Sequence, residues 1–100
     1  MRHPDLHQSP EVLRVEFSKV EGAVIEIGQH DDGRWMWATK LQTTNAGYGY
    51  ACAAKWKHFA PTRSEAIASA IEEIAATSYT TARIRQWLAS LQTPQVDLFG

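Results

Sequence analysis

The stretch PTRSEAIASAIEEIAA, residues 61–76, is the point at which the chain changes its periodicity. Thr62 and Glu65 have the spacing of a capping box, in which both side chains satisfy free backbone N–H groups at the start of a helix. The apolar side chains that follow keep a helical spacing and form one stripe: Ile67, Ile71 and Ile74. The stretch therefore predicts a helix over residues 63–76.

Before this stretch, apolar residues alternate with polar ones, which is the two-residue period of half-buried strands. Leu13, Val15 and Phe17 show the alternation most clearly. Glu21-Gly22 and Asp31-Asp32-Gly33 are turn signals between such segments. The pattern predicts four strands, over residues 12–20, 23–29, 34–42 and 48–59.

A second amphipathic stripe follows the first helix and consists of Ile84, Trp87, Leu88 and Leu91. Thr93-Pro94 ends it, because proline disfavours helix in the residue before it. The order predicts an α+β fold: a four-stranded antiparallel sheet in β-β-β-β-α-α order, with two helices packed on one face. We predict a single domain over residues 12–92, a flexible N-terminal tail over 1–11 and a peptide tail over 93–100.

The composition is that of a small globular domain, with 44% hydrophobic residues and a formal net charge of −1. A charge this close to zero excludes a strongly basic field for nonspecific DNA binding and a strongly acidic one that mimics DNA. The sequence shows no signal peptide and no run approaching the ~18 apolar residues of a membrane helix. We therefore expect a cytoplasmic protein without membrane contact, whose single cysteine, Cys52, is buried and inert.

No group of residues has the spacing of a catalytic or metal site. His3 and His7 are four residues apart, but no cysteine or carboxylate stands at a ligand interval near them. Asp31-Asp32-Gly33 is explained as a turn, and no glycine-rich loop joins a strand to a helix to hold phosphate. Cys52 and His58 would lie about 20 Å apart along one strand. We predict a non-catalytic protein with no cofactor, no metal and no small-molecule substrate.

The aromatic residues of the third and fourth predicted strands share one parity: Trp35, Trp37, Tyr48, Tyr50 and Trp56. Sheet alternation explains them as the core beneath the helices, and the alternative is a stacking platform for single-stranded nucleic acid. The same alternation places four basic residues outward: Arg34, Lys40, Lys55 and Lys57. They form a candidate surface for nucleic acid or another partner, with Glu16 and Glu26 placed to neutralise it.

Residues 95–99, Gln95-Val96-Asp97-Leu98-Phe99, resemble the pentapeptide by which bacterial DNA polymerases, repair proteins and replication regulators bind the DNA polymerase III β sliding clamp. That pattern is glutamine, a variable residue, aspartate or serine, leucine and phenylalanine, and it agrees here at every position. The resemblance implies a ring-shaped protein partner with one pocket on each subunit. Burial of Leu98 and Phe99 in such a pocket gains on the order of 3–5 kcal/mol before ordering costs. The alternative is that both side chains fold back onto the domain.

The folded body carries a second resemblance. Gly33-Arg34-Trp35-Met36-Trp37 and the segment TRSEAI, residues 62–67, are similar to small sheet-plus-helix proteins encoded by phages and plasmids, including some anti-CRISPR proteins. The leading hypothesis is a non-catalytic adaptor or inhibitor that docks on the clamp through residues 95–99. The alternatives are a phage- or plasmid-encoded inhibitor of a host protein complex and a small nucleic-acid-binding domain.

Overall fold

The computed structural model describes residues 10–92 and contains an antiparallel sheet followed by two helices. The strands are β1 (Glu11–Ser18), β2 (Glu21–Gln29), β3 (Trp35–Gln42), β4 (Gly47–Gly49) and β5 (Phe59–Ala60). The helices are α1 (Arg63–Ala76) and α2 (Ala82–Gln92). This order confirms the predicted α+β fold.

The sheet is a meander in which β1, β2, β3 and β4 lie side by side in chain order. The short strand β5 pairs with β3 beyond the end of β4, so that Trp35 lies opposite Ala60. Lys19 and Val20 form the β1–β2 turn, so the predicted turn at Glu21-Gly22 is wrong: both residues belong to β2 and pair with β1. A Cβ atom on Gly22 would lie 2.6 Å from the carbonyl oxygen of Val15. Only glycine fits this close approach of two backbones, which explains its place opposite Glu16.

One face of the sheet carries both helices, as predicted. Thr62 caps the N-terminus of α1: its side-chain oxygen accepts a hydrogen bond from the backbone N–H of Glu65 at 3.1 Å. This is the threonine half of the predicted capping box. Small and branched side chains of the helices and the sheet form one buried cluster: Ala23, Ile25, Ile27, Leu41, Ala60, Ala66, Ala70, Ile71, Ile74, Ile84 and Leu88. Burial of this apolar surface is the main force that holds the two layers together.

The opposite face of β3 is covered as well. Met36 and Ala38, whose side chains lie on that face, are buried together with Cys52. Phe59 and Ala54 pack against this second cluster. This face is not fully open to solvent, because the segment that follows β4 wraps around the sheet and covers Met36 and Ala38.

The prediction of one strand over residues 48–59 is wrong for most of its length. The chain leaves the sheet after β4, forms a single 3-10 turn at Ala54–Trp56, and returns as β5. Lys57 has a left-handed backbone with φ 59, which ends that turn and redirects the chain. Tyr50 and Cys52 are two residues apart, as on one face of a strand, but the Tyr50 hydroxyl bonds to Glu73 of α1 whereas Cys52 bonds to Glu26 of β2.

The predicted burial of the aromatic residues holds in part. Trp35 and Trp37 are half-buried and pack against the main cluster beneath the helices. Trp56 is 44% exposed, because it lies on the 3-10 turn and not in a strand. Phe17 is also exposed, next to an irregularity in the β1–β2 pairing between Glu16 and Ser18. Neither of the two helices within residues 10–92 is long and apolar enough to cross a membrane.

Candidate functional site

The predicted docking peptide consists of Gln95, Val96, Asp97, Leu98 and Phe99, and it lies outside the described residues. The helix that precedes it, α2, ends at Gln92. Leu88 is 2% exposed and faces the core, whereas Ser90 and Gln92 are exposed. The described part of the chain therefore ends at the surface of the domain.

Arg34 and Lys40, two of the four predicted basic residues, have acidic partners. Arg34 donates from Nε and Nη2 to Asp32 Oδ2 at 2.9 and 2.7 Å, and its guanidinium lies 3.8 Å from the ring centre of Phe59. The hydrogen bonds from the Arg34 side chain, and then its backbone N–H, lower the pKa of Asp32 to about 2. Lys40 Nζ lies 3.7 Å from Glu26 Oε2, so Glu26 neutralises it as expected.

The other two, Lys55 and Lys57, flank Trp56 on the 3-10 turn that follows β4. We call residues 55–57 the KWK turn. Lys55 Nζ lies 5.0 Å from the centre of the Trp56 ring, within cation–π distance. All three residues of the KWK turn are exposed. The structure thus places an exposed aromatic ring between two basic residues, which the predicted strand had not allowed.

A polar network joins the segment after β4 to α1, and its centre is the carboxylate of Glu73. Thr39 Oγ1 and the Tyr50 hydroxyl both donate to Glu73 Oε1, each at 2.5 Å. Thr39 donates its hydroxyl proton to Glu73. In the 2.7 Å hydrogen bond between Thr39 and Tyr48, the Tyr48 hydroxyl is therefore the donor and Thr39 Oγ1 is the acceptor. By the same reasoning, the 3.0 Å bond between Tyr50 and His58 requires that Nδ1 of His58 carries the proton. We call these five residues the Glu73 network.

Two tyrosines of the network are held in the protonated form. Burial, and then donation to the Glu73 carboxylate, raises the pKa of Tyr50 above its ordinary value. Burial likewise raises the pKa of Tyr48. Both hydroxyls therefore act as hydrogen-bond donors near neutral pH, and the Glu73 network orders the structure around a single carboxylate.

Aromatic stacking continues the Glu73 network toward the KWK turn. The Trp37 and His58 rings are stacked, with centroids 4.0 Å apart and planes inclined by 7°. The Tyr50 ring lies 5.2 Å from that of Trp56. The KWK turn is thus held by residues that are themselves bonded to α1.

A second anchor holds the same segment on the opposite face of the sheet. The backbone N–H of Cys52 donates to Glu26 Oε1 at 3.2 Å, and its thiol donates to the Glu26 carbonyl oxygen at 3.4 Å. Burial, and then the nearby Glu26 carboxylate, raises the pKa of Cys52 to about 12. The thiol is therefore protonated near neutral pH and is a poor nucleophile there. This agrees with the buried thiol expected from the sequence.

The Glu73 network was not predicted from the sequence, although one signal for it is present. Thr39 stands at an inward-facing position of β3, between Trp37 and Leu41, and it is fully buried. A buried hydroxyl requires a hydrogen-bond partner. That partner, Glu73, lies 34 positions further along the chain, and no local pattern identifies it.

Within residues 10–92, no three or more histidine, cysteine, aspartate or glutamate side chains are grouped to hold a metal ion. Comparison of the chain with models of known protein families, with curated proteins and with solved structures found no match.

Proposed function

We propose that this protein docks on the bacterial DNA polymerase III β sliding clamp through residues 95–99. The observation that carries the proposal is the agreement of all five residues with the clamp-binding pattern. Leu98 and Phe99 supply the apolar anchor in a pocket of the clamp. The side chain of Gln95 offers both an amide donor and a carbonyl acceptor, which sets the register.

The surroundings of the peptide support this proposal. Thr93 and Pro94 separate it from α2, and the proline favours an extended backbone before it. The exposed end of α2 lets a partner approach without opening the buried cluster that holds Leu88.

Calorimetric titration of purified β clamp tests this docking. We expect a Kd on the order of micromolar for the full chain, because a short peptide is ordered when it binds. Deletion of residues 95–100 and the double substitution Leu98→Ala with Phe99→Ala should each abolish binding at an unchanged melting temperature. Val96→Ala is the matched control, because this position varies in the clamp-binding pattern. It should retain most of the affinity.

Two results contradict clamp docking. One is the absence of both heat and competition with a known clamp-binding peptide for the full chain. The other is a melting temperature several degrees lower for the double alanine variant, since Leu98 and Phe99 would then belong to the core. Recruitment and inhibition share the docking step, and clamp-dependent primer extension separates them because an inhibitor slows it.

A second candidate function is binding of single-stranded nucleic acid by the KWK turn. The observation that favours it is the 44% exposure of Trp56 between two lysines, since exposed rings with basic neighbours stack on bases. Binding of a labelled oligonucleotide should weaken with added salt and be lost in Trp56→Ala. Lys19→Ala, an exposed lysine of the β1–β2 turn, is the control and should keep it. Absence of binding by the unmodified chain at low salt removes this candidate.

A further inference from the structure

Strand β1 is an open edge of the sheet. It pairs with β2 on one side, and no other strand within residues 10–92 pairs with it on the other. It is eight residues long, Glu11–Ser18, and α1 packs mainly over β2 and β3. Helix side chains contact those of β1 where Arg63 bonds to Glu11 and where Arg83 lies 4.8 Å from the ring centre of Phe17, but neither contact pairs with the outer backbone edge. An uncovered edge presents backbone N–H and C=O groups that are ready to pair with a further strand.

Two opposite charges lie on this edge next to each other. Arg14 and Glu16 are both exposed, and within residues 10–92 neither takes part in an ion pair. Val15 stands between them and packs against the main cluster under the helices. Alternation therefore places both charges on the sheet face opposite the helices.

The sequence of β1 is complementary to itself in one antiparallel register. A two-fold axis perpendicular to the sheet and through Val15 places Arg14 opposite Glu16 of a second copy, and the reverse pair follows by symmetry. Leu13 then faces Phe17, which lies at the irregularity between Glu16 and Ser18 and whose ring is under the Arg83 guanidinium. Two opposite-charge pairs thus meet directly across the edge, which stabilises paired strands.

Neighbouring registers lack this complementarity. An axis through Arg14 places the two arginines opposite each other, and an axis through Glu16 does the same for the two glutamates. Like charges directly opposite destabilise a strand pair. A register shifted by one residue would place a residue of the helix-covered face opposite a residue of the other face. Directly opposed residues of antiparallel strands have their side chains on the same face, so this register does not form. The irregularity between Glu16 and Ser18 lies at the end of the paired segment, where it limits the length of the ladder.

We infer that β1 is the interface of a two-fold symmetric homodimer, formed by antiparallel pairing of the two β1 strands about Val15. The occupant of the edge is a second copy of this chain, because its charges match those of β1 in this register. The inference is independent of clamp docking. If both hold, the dimer presents residues 95–99 twice, and a ring with several pockets would bind it with higher avidity.

Reversal of the charges at Arg14 and Glu16 tests this proposal. We would measure the molar mass of the full chain by light scattering, at concentrations from about 1 µM to about 1 mM, which covers weak to moderate association. The expected mass at the upper end is twice the 11.2 kDa of one chain. Arg14→Glu and Glu16→Arg should each weaken the dimer by about tenfold or more, because each change creates two like-charge pairs. The double variant, Arg14→Glu with Glu16→Arg, restores both pairs and should dimerise like the original.

The controls separate the interface from the fold. Arg14 and Glu16 are both exposed. At a low concentration, where the original protein is monomeric, each variant should therefore have the same melting temperature as the original. Glu72→Arg, on the exposed side of α1, is the matched charge reversal and should leave dimerisation unchanged. A monomer at every concentration overturns the proposal, as does a dimer that survives both single reversals. Failure of the double variant to restore dimerisation overturns the register about Val15.

Discussion

Removal of one hydroxyl group from the Glu73 network should destabilise the whole domain. Tyr50→Phe keeps the ring and deletes the oxygen that bonds to Glu73 at 2.5 Å and to His58 at 3.0 Å. Hydrogen bonds to charged groups contribute about 1.5–3 kcal/mol. Glu73 keeps its bond from Thr39 and is only half-buried, so water partly replaces the lost donor. We therefore expect a loss at the lower end, about 1.5 kcal/mol in the free energy of unfolding.

Glu73→Ala should cost more than Tyr50→Phe. It removes the acceptor of two hydroxyls, and Thr39 is fully buried, so that water does not readily replace its partner. An unsatisfied buried polar group costs about 1–3 kcal/mol, and we expect a total of about 3 kcal/mol. With both substitutions present, the cost should fall short of the sum by about 1 kcal/mol or more, because the two residues share one bond.

Urea unfolding followed by tryptophan fluorescence measures these free energies. In a thermal scan, Tyr50→Phe should lower the melting temperature by roughly 6–12 °C, since about 1 kcal/mol corresponds to about 4–8 °C in a domain of this size. Tyr79→Phe is the control, because no hydrogen bond of its hydroxyl is found within residues 10–92, and it should change stability by less than about 0.5 kcal/mol. A Tyr50→Phe effect as small as that of the control, or strictly additive costs with Glu73→Ala, would refute a network centred on this carboxylate.

Three further predictions concern the pKa of Asp32, the reactivity of Cys52 and the roles of two tryptophans. Asp32 has its pKa lowered to about 2, so the stabilising effect of its carboxylate is present above the ordinary value of 3.8 and is lost as the pH falls toward 2. NMR titration should give a midpoint near 2, and Arg34→Ala should return it toward 3.8; a midpoint near 3.8 in the original protein contradicts the contact with Arg34. The buried Cys52 thiol should react with a thiol reagent slowly in the native state and quickly in denaturant, and equal rates would show that it is accessible. Trp37→Ala should cost about 3 kcal/mol because its ring packs on the core and on His58, whereas Trp56→Ala should stay within about 0.5 kcal/mol; similar costs in urea unfolding would contradict their assigned environments.

Of the two candidate binding segments, one can be recognised from the sequence and the other only from the structure. Residues 95–99 are identified by their sequence pattern alone, and clamp docking stays a prediction. The KWK turn was predicted as part of a strand that points Trp56 into the core. Alternation in residues 50–56 has the period of a strand, and the sequence contains no separate signal that the chain changes face there.

The features of this protein that can be predicted from its sequence are those that depend on residues close together in the chain. The N-cap at Thr62, the isoleucine stripe of α1 and the turn at Asp31-Asp32-Gly33 act over a few residues, so spacing alone identifies them. The meeting of Tyr50 and Thr39 at Glu73 depends instead on tertiary contacts. Those contacts join residues 23 and 34 positions apart, and a buried hydroxyl requires a partner without specifying which residue provides it.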